Sequence, residues 1–159
     1  EAVQEFRGEP MTLRRAARAA ALSVIGLVVL GCSADKNPPA APAPQVKTVT
    51  VAYDDLLNQK RVTRAVTLAT GDTLRISLAS NASTGYQWAP QAQISDGRVL
   101  SQTGHETVSA DGPPGSAGAE VWTLRALTPG AATLTMTYGQ PWPGGAKDAW
   151  TFTAQVTVR

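Results

Sequence analysis

At 159 residues, 43% of them hydrophobic, the chain has room for one domain with an ordinary core plus accessory segments. Charge is low, at 16% of residues and a formal net of +2, and no basic stripe with interleaved aromatics is present, which argues against a nucleic-acid ligand. A single cysteine excludes an internal disulfide, so the ordered part must be held by its core alone, for which about 110 residues suffice.

Met11 opens an export pattern, preceded by the residues Glu1 to Pro10, which are set aside from fold reasoning. Arg14, Arg15 and Arg18 form a positive start, and Ala19 to Leu30 form an apolar run. As a helix this run rises roughly 18 Å, too short for a hydrocarbon core of about 30 Å. Residues 1–31 are therefore expected to hold a signal peptide rather than a transmembrane anchor. The run closes on Val29-Leu30-Gly31-Cys32. Residues 32–47 follow as a Pro/Ala-rich segment without apolar periodicity, read as an extended, semi-rigid linker.

From about residue 48 to Arg159 the signal is alternation. Val49 and Val51 lead one run, and Leu74, Ile76 and Leu78 follow the Gly71-Asp72 turn. Trp122, Leu124 and Ala126 alternate with polar residues, as do Leu134, Met136 and Tyr138, and then Trp150, Phe152, Ala154, Val156 and Val158. A period of two, punctuated by Gly, Pro, Asn and Asp, indicates strands with one buried face. No stretch after residue 47 sustains a helical period, and Asp54 to Arg61 is the one doubtful case. About seven strands in this length predict an all-β domain, an immunoglobulin-like antiparallel β-sandwich without the Cys…Trp…Cys core of antibody domains.

Little here points to catalysis. His105 is the only histidine, it lies in a strand-like run, and no nucleophile or carboxylate stands at a recognisable spacing from it. No His/Cys/Asp/Glu cluster has metal-ligand spacing, and no Gly-rich stretch joins a strand to a helix. An enzyme, a metal and a cofactor are all unexpected.

Three connections are unusual. Asn81-Ala82-Ser83-Thr84-Gly85-Tyr86 combines residues that permit tight turns with hydroxyls that tie a loop to its own backbone. Asp111 to Gly118 carries almost no side-chain bulk, so its main chain can approach a partner closely. Tyr138 to Gly145 sets Trp142 between two prolines, an aromatic of the kind enriched at interfaces. In a sandwich of the expected strand order all three project from one end.

Two resemblances follow from these residues. The tetrapeptide ending at Cys32 resembles the lipobox of bacterial lipoproteins, which implies a diacylglyceryl thioether and an amide-linked acyl chain such as palmitate on Cys32. Several chains give stable anchoring, at about 0.8 kcal/mol per buried methylene, and imply export to the cell envelope. The domain resembles the chagasin family of cysteine-protease inhibitors, whose motifs are Asn-Pro-Thr-Thr-Gly-Tyr, Gly-x-Gly-Gly and Arg-Pro-Trp or Arg-Pro-Phe. Asn81, Thr84, Gly85 and Tyr86 match the first, with Ala82 and Ser83 as departures. Gly115 and Gly118 match the second, with Ser116 between and Ala117 as the departure, and Pro141 and Trp142 match the third, with Gln140 replacing Arg.

The second resemblance implies a monomeric, reversible inhibitor whose three loops plug the cleft of a papain-like protease. Gly115 to Gly118 would cross near the catalytic thiol, with Thr84 and Trp142 on either side. Loss of the proline at Ala82 costs about 0.4–1 kcal/mol of preorganisation. Loss of the arginine at Gln140 costs about 1–3 kcal/mol of charged hydrogen bonding. Together they weaken inhibition by roughly one to three decades. The alternative is a non-inhibitory envelope binding module on the same sandwich, since fold does not fix function. Convergence of Asn81–Tyr86, Gly115–Gly118 and Gln140–Trp142 on one edge separates the two.

Overall fold

The alternating runs form strands where the period of two is sustained. The computed structural model describes residues 42–113 and 115–159; the expected signal peptide, Cys32 and most of the linker lie outside the described residues. Among the described residues, seven long strands are present: β1 (Val46–Val51), β2 (Arg61–Leu68), β3 (Thr73–Ser80), β6 (Leu100–Val108), β7 (Gly118–Ala126), β8 (Gly130–Gly139) and β9 (Trp150–Val158). Two more, β4 (Gln87–Trp88) and β5 (Gln93–Ile94), are two residues each and complete the second sheet. The doubtful stretch after β1 is a short helix, α1 (Tyr53–Asn58), with Leu56 buried and Asp54 and Asp55 in its first turn, where the helix dipole favours negative charge.

One sheet runs β1-β3-β7-β6 and the other β2-β9-β8-β4, with β5 also on β8. The expected sandwich is therefore formed, with one difference in pairing. β1 lies parallel to β3 and β2 parallel to β9, while the remaining pairs are antiparallel. The cause is a crossover: α1 carries the chain from the edge of one sheet to the edge of the other, so each early strand meets a neighbour that comes later in the chain. Alternation along a strand reports which face is buried and is silent about direction.

Between the sheets lies one core. Leu74, Ile76, Leu78, Trp122 and Leu124 face Leu134, Met136, Phe152, Ala154 and Val156, all buried. Trp88 meets Trp122 edge-on with ring centroids 6.3 Å apart, a favoured aromatic geometry. Both indoles keep a hydrogen bond, Trp88 Nε1 to the Ala79 carbonyl at 3.0 Å and Trp122 Nε1 to the Pro90 carbonyl at 3.1 Å. Neither large ring therefore leaves a polar atom stranded.

The pole where the chain enters β1 is tied by one carboxylate. Asp72, buried in the turn before β3, accepts from the Gln45 N–H at 2.9 Å and the Ala69 N–H at 2.8 Å. These two donors, Gln45 foremost, hold its pKa below the usual carboxylate value. The Gly71-Asp72 turn read from sequence thus joins β1, β2 and β3 at a single side chain.

Candidate functional site

Register brings the three unusual connections to the pole opposite Asp72. Ser80 at the end of β3 pairs with Gly118 at the start of β7, and Val108 at the end of β6 pairs with Ala119. In the other sheet Gln87 pairs with Gly139 and Tyr138 with Trp150. The connections 81–86, 109–117 and 140–149 therefore leave the sandwich together.

The first loop is built from its own hydrogen bonds. Asn81 Oδ1 accepts from the Ser83 backbone N–H at 3.2 Å and the Ser83 hydroxyl at 2.6 Å. The Thr84 hydroxyl donates to the Asn81 carbonyl at 2.6 Å, and a single 3₁₀ turn over Ala82–Thr84 results. Gly85 ends the turn at φ 76°, the left-handed region that side chains avoid. Tyr86 then turns inward, stacking on Tyr138 at 5.7 Å and meeting the edge of Trp150 at 5.6 Å. The Asn81 N–H donates to the Tyr138 hydroxyl at 3.0 Å, so both sheets grip the base of this loop.

The second loop is held by Ser116, whose N–H and hydroxyl both donate to the Pro113 carbonyl, at 3.1 and 2.8 Å. Gly115 takes φ 93° with open space where a Cβ would stand. Ala117 is exposed. Gly118 already belongs to β7, where a Cβ would overlap the Val108 carbonyl, so it closes the loop's neck rather than forming its tip.

The third loop is tied across its base. The Gln140 N–H donates to the Ala146 carbonyl at 2.7 Å, and Gln140 Oε1 accepts from the Ala146 N–H at 2.9 Å. Lys147 Nζ donates to the carbonyls of Gln140 at 2.6 Å and Trp142 at 2.8 Å. Gln140, standing where the family motif has arginine, is thus used inside the loop. The loop still carries a cation, Lys147, whose donors go to its own backbone. Pro141 is exposed and Trp142 is 45% exposed.

Among the described residues, two contacts join the loops. Asn81 Nδ2 donates to the Gly115 carbonyl at 3.1 Å, linking first to second. The Trp142 ring lies on Gly85 so closely that a Cβ there would stand 2.7 Å from Cη2, linking first to third. The first loop is the keystone, and nearly half of Trp142 remains exposed to solvent. A recess of about 240 Å³ lies between the first and second loops, lined by Asn81, Ser83, Gly115 and Ser116 among others.

Sequence reasoning missed the groups beneath. Glu120 is buried on β7 and is hydrogen-bonded to Ser80, Trp88 and His105. The signal was present, because Glu120 falls in phase with the inward-facing Trp122, Leu124 and Ala126.

Comparison with known proteins speaks to the family and the fold. The model of the chagasin family peptidase inhibitor I42 matches residues 67–156. Among solved structures, the cysteine protease inhibitor EhICP2 from Entamoeba histolytica superposes with a TM-score of 0.58 at 20% identity, covering 75% of this chain and 100% of that one. PbICP-C, solved in complex with falcipain-2, superposes with a TM-score of 0.55 at 21% identity, covering 71% of this chain and 99% of that one. At these identities the two structures speak for the fold. No curated protein sequence gives a match. With its family model matched from the end of β2 into β9, the chain belongs to the chagasin family of peptidase inhibitors.

Proposed function

We propose that the domain is a reversible inhibitor of papain-like cysteine proteases and that the three joined loops are its working edge. The observation that carries this reading is the physical linkage of the loops, through Asn81 to Gly115 and through Gly85 to Trp142. A preassembled edge loses little conformational entropy on docking, so more of the contact energy appears as affinity. PbICP-C, a structure of the same fold, was solved with falcipain-2 bound, which supports a protease partner of this class.

The division of labour follows from bulk and exposure. Gly115, Ser116 and Ala117 offer backbone with little side chain, and the Ser116 bonds to Pro113 hold that backbone in a fixed turn. Such a turn can lie over a catalytic thiol without presenting a peptide carbonyl in attack geometry. Thr84 flanks it on one side. The half-exposed Trp142 supplies an aromatic anchor on the other, with the edge of its ring already held against Gly85. Small, uncharged residues dominate this edge, so shape rather than charge is the main source of affinity.

We further propose that Cys32 is lipidated and that the domain works from the cell envelope. The apolar run ending at Gly31-Cys32 supports this. For the inhibitor reading, the decisive experiment is titration of papain and a cathepsin L-like enzyme with the purified chain. Competitive, reversible inhibition is expected at micromolar concentration or below. A folded chain with no effect on either enzyme would leave the non-inhibitory binding module as the better account.

A further inference from the structure

A buried carboxylate must find donors or neutralise, and Glu120 has three. Its Oε1 accepts from the Ser80 hydroxyl at 2.9 Å and from the Trp88 backbone N–H at 3.1 Å. Its Oε2 lies 3.0 Å from His105 Nε2. Ser80 is the residue immediately before Asn81, and Trp88 stands two residues after Tyr86. A single oxygen therefore holds both ends of the first loop. Those ends belong to different sheets, Ser80 to β3 and Trp88 to β4, so the carboxylate bridges the sandwich directly under the loop. His105 fixes the other oxygen, and its own ring is fixed in turn by packing on Trp122 at a centroid distance of 4.8 Å. A cavity of about 370 Å³ opens beside the pair, with walls from Tyr86, Pro141 and Trp142. The carboxylate thus sits where the first and third loops meet.

The joined edge depends on this point. The first loop carries both inter-loop contacts, one from Asn81 and one at Gly85. With Ala82 at the first position of its 3₁₀ turn, the loop has no proline to stiffen it from within. Its pose must then be set from below.

We propose that Glu120, oriented by His105, is the positioning residue of the inhibitory edge. It fixes the ends of loop 81–86 and thereby the pose in which Thr84, Gly85 and the attached Trp142 meet the protease. This inference rests on the inhibitor reading. A carboxylate that only held the sandwich together would affect both sheets alike, whereas a positioning group acts on the loop.

The test compares Glu120→Gln, Glu120→Ala and Ser80→Ala in the full chain, by hydrogen exchange of the free protein and by inhibition of papain. Gln keeps the acceptor for Ser80 and Trp88, and its amide can donate to His105 in the other tautomer. Glu120→Gln should therefore inhibit within about threefold of the parent and keep the parent's loop exchange. Glu120→Ala should exchange the amides of residues 83–88 at least about tenfold faster and weaken inhibition by at least about tenfold, with β8 and β9 exchanging as before. Ser80→Ala, which frees only one end, should shift both readouts the same way by a smaller factor, and it carries the test if Glu120→Ala fails to fold. Uniformly faster exchange across both sheets, or unchanged loop exchange in the Ala variants, overturns the proposal. If the parent chain inhibits nothing, the inhibitor reading fails by itself, and the exchange pattern still decides what Glu120 holds.

Discussion

Substituting alanine for Gly85 sets two costs against each other at one atom. Gly85 lies at φ 76° and ψ 0°, where an L side chain costs about 1–2 kcal/mol. The new Cβ would also stand 2.7 Å from Trp142 Cη2 and 3.4 Å from Cζ3, so the ring must withdraw by nearly an ångström. Forcing the tryptophan off its rotamer costs a further ~0.5–1.5 kcal/mol. Because Trp142 is 45% exposed, it escapes by swinging outward, and the link between the first and third loops breaks. The combined cost of about 1.5–3.5 kcal/mol predicts inhibition weakened by roughly ten- to three-hundredfold. Global stability should fall by less, since the loop can relax locally. Competitive titration of papain with a fluorogenic peptide reads the first quantity and thermal unfolding the second. Trp142→Ala alone should weaken inhibition by more than about tenfold. In the Trp142→Ala background the clash is gone, so Gly85→Ala should then cost only its backbone strain, a coupling of about 1 kcal/mol between the two sites. Strict additivity in that cycle, or a Gly85→Ala variant that inhibits as well as its parent, refutes the contact as the link between the loops.

Three further outcomes are expected. Ala82 follows an extended residue, Asn81 at φ −126° and ψ 93°, and opens the 3₁₀ turn, a position where proline fits. Ala82→Pro should stabilise the chain by about 0.4–1 kcal/mol and tighten inhibition several-fold; a loss of both would show that the loop needs its freedom. The lowered pKa of Asp72 places its contribution above the unfolded-state value and removes it as pH falls through the lower, folded-state value. Denaturant unfolding should therefore show stability declining in the acid range for the parent and flattening there for Asp72→Asn, which should also be less stable at neutral pH; identical pH profiles would remove Asp72 from the account. Finally, Cys32→Ser should abolish incorporation of labelled palmitate and release the domain from the membrane fraction, and labelling that persists in the variant would rule out Cys32 as the attachment point.

Alternation made most of the long strands legible because each buries one face, as Leu74, Ile76 and Leu78 do on β3; β2, which turns Val62, Val66 and Leu68 inward, went unread. The same signal cannot show β4 and β5, since two residues carry no period, nor the parallel pairing of β1 with β3 and of β2 with β9, which depends on a crossover. Local chemistry made the first loop legible, through Asn81, Ser83 and Thr84 acting on neighbours two or three residues away. What sequence could not show is contact at long range. The seat of Trp142 on Gly85 and the bond from Asn81 to Gly115 exist only once both sheets are in register. Gln140 is the clearest case of a residue whose meaning changed. As a letter it was an absent arginine, and in the fold it closes the third loop on Ala146, with Lys147 as the cation beneath.

The entry of the chain beside Asp72 has a mechanical side. A domain held from its N-terminal end and gripped at its loops is stretched along its strands, from Gln45 at one pole to Trp142 at the other. The first element under tension is β1, which runs parallel to β3 from Val46 opposite Thr73 to Val51 opposite Leu78. Force along that direction shears the ladder, so its hydrogen bonds share the strain and must yield together, where an antiparallel hairpin pulled from its open end would unzip bond by bond. The Asp72 carboxylate adds a fastener at the point where the pull arrives. Single-molecule pulling between residues 45 and 142 should accordingly show one abrupt rupture rather than a staircase. Under the proposed anchoring at Cys32 and the proposed grip through the loops, the pull of a bound enzyme would load this ladder in shear.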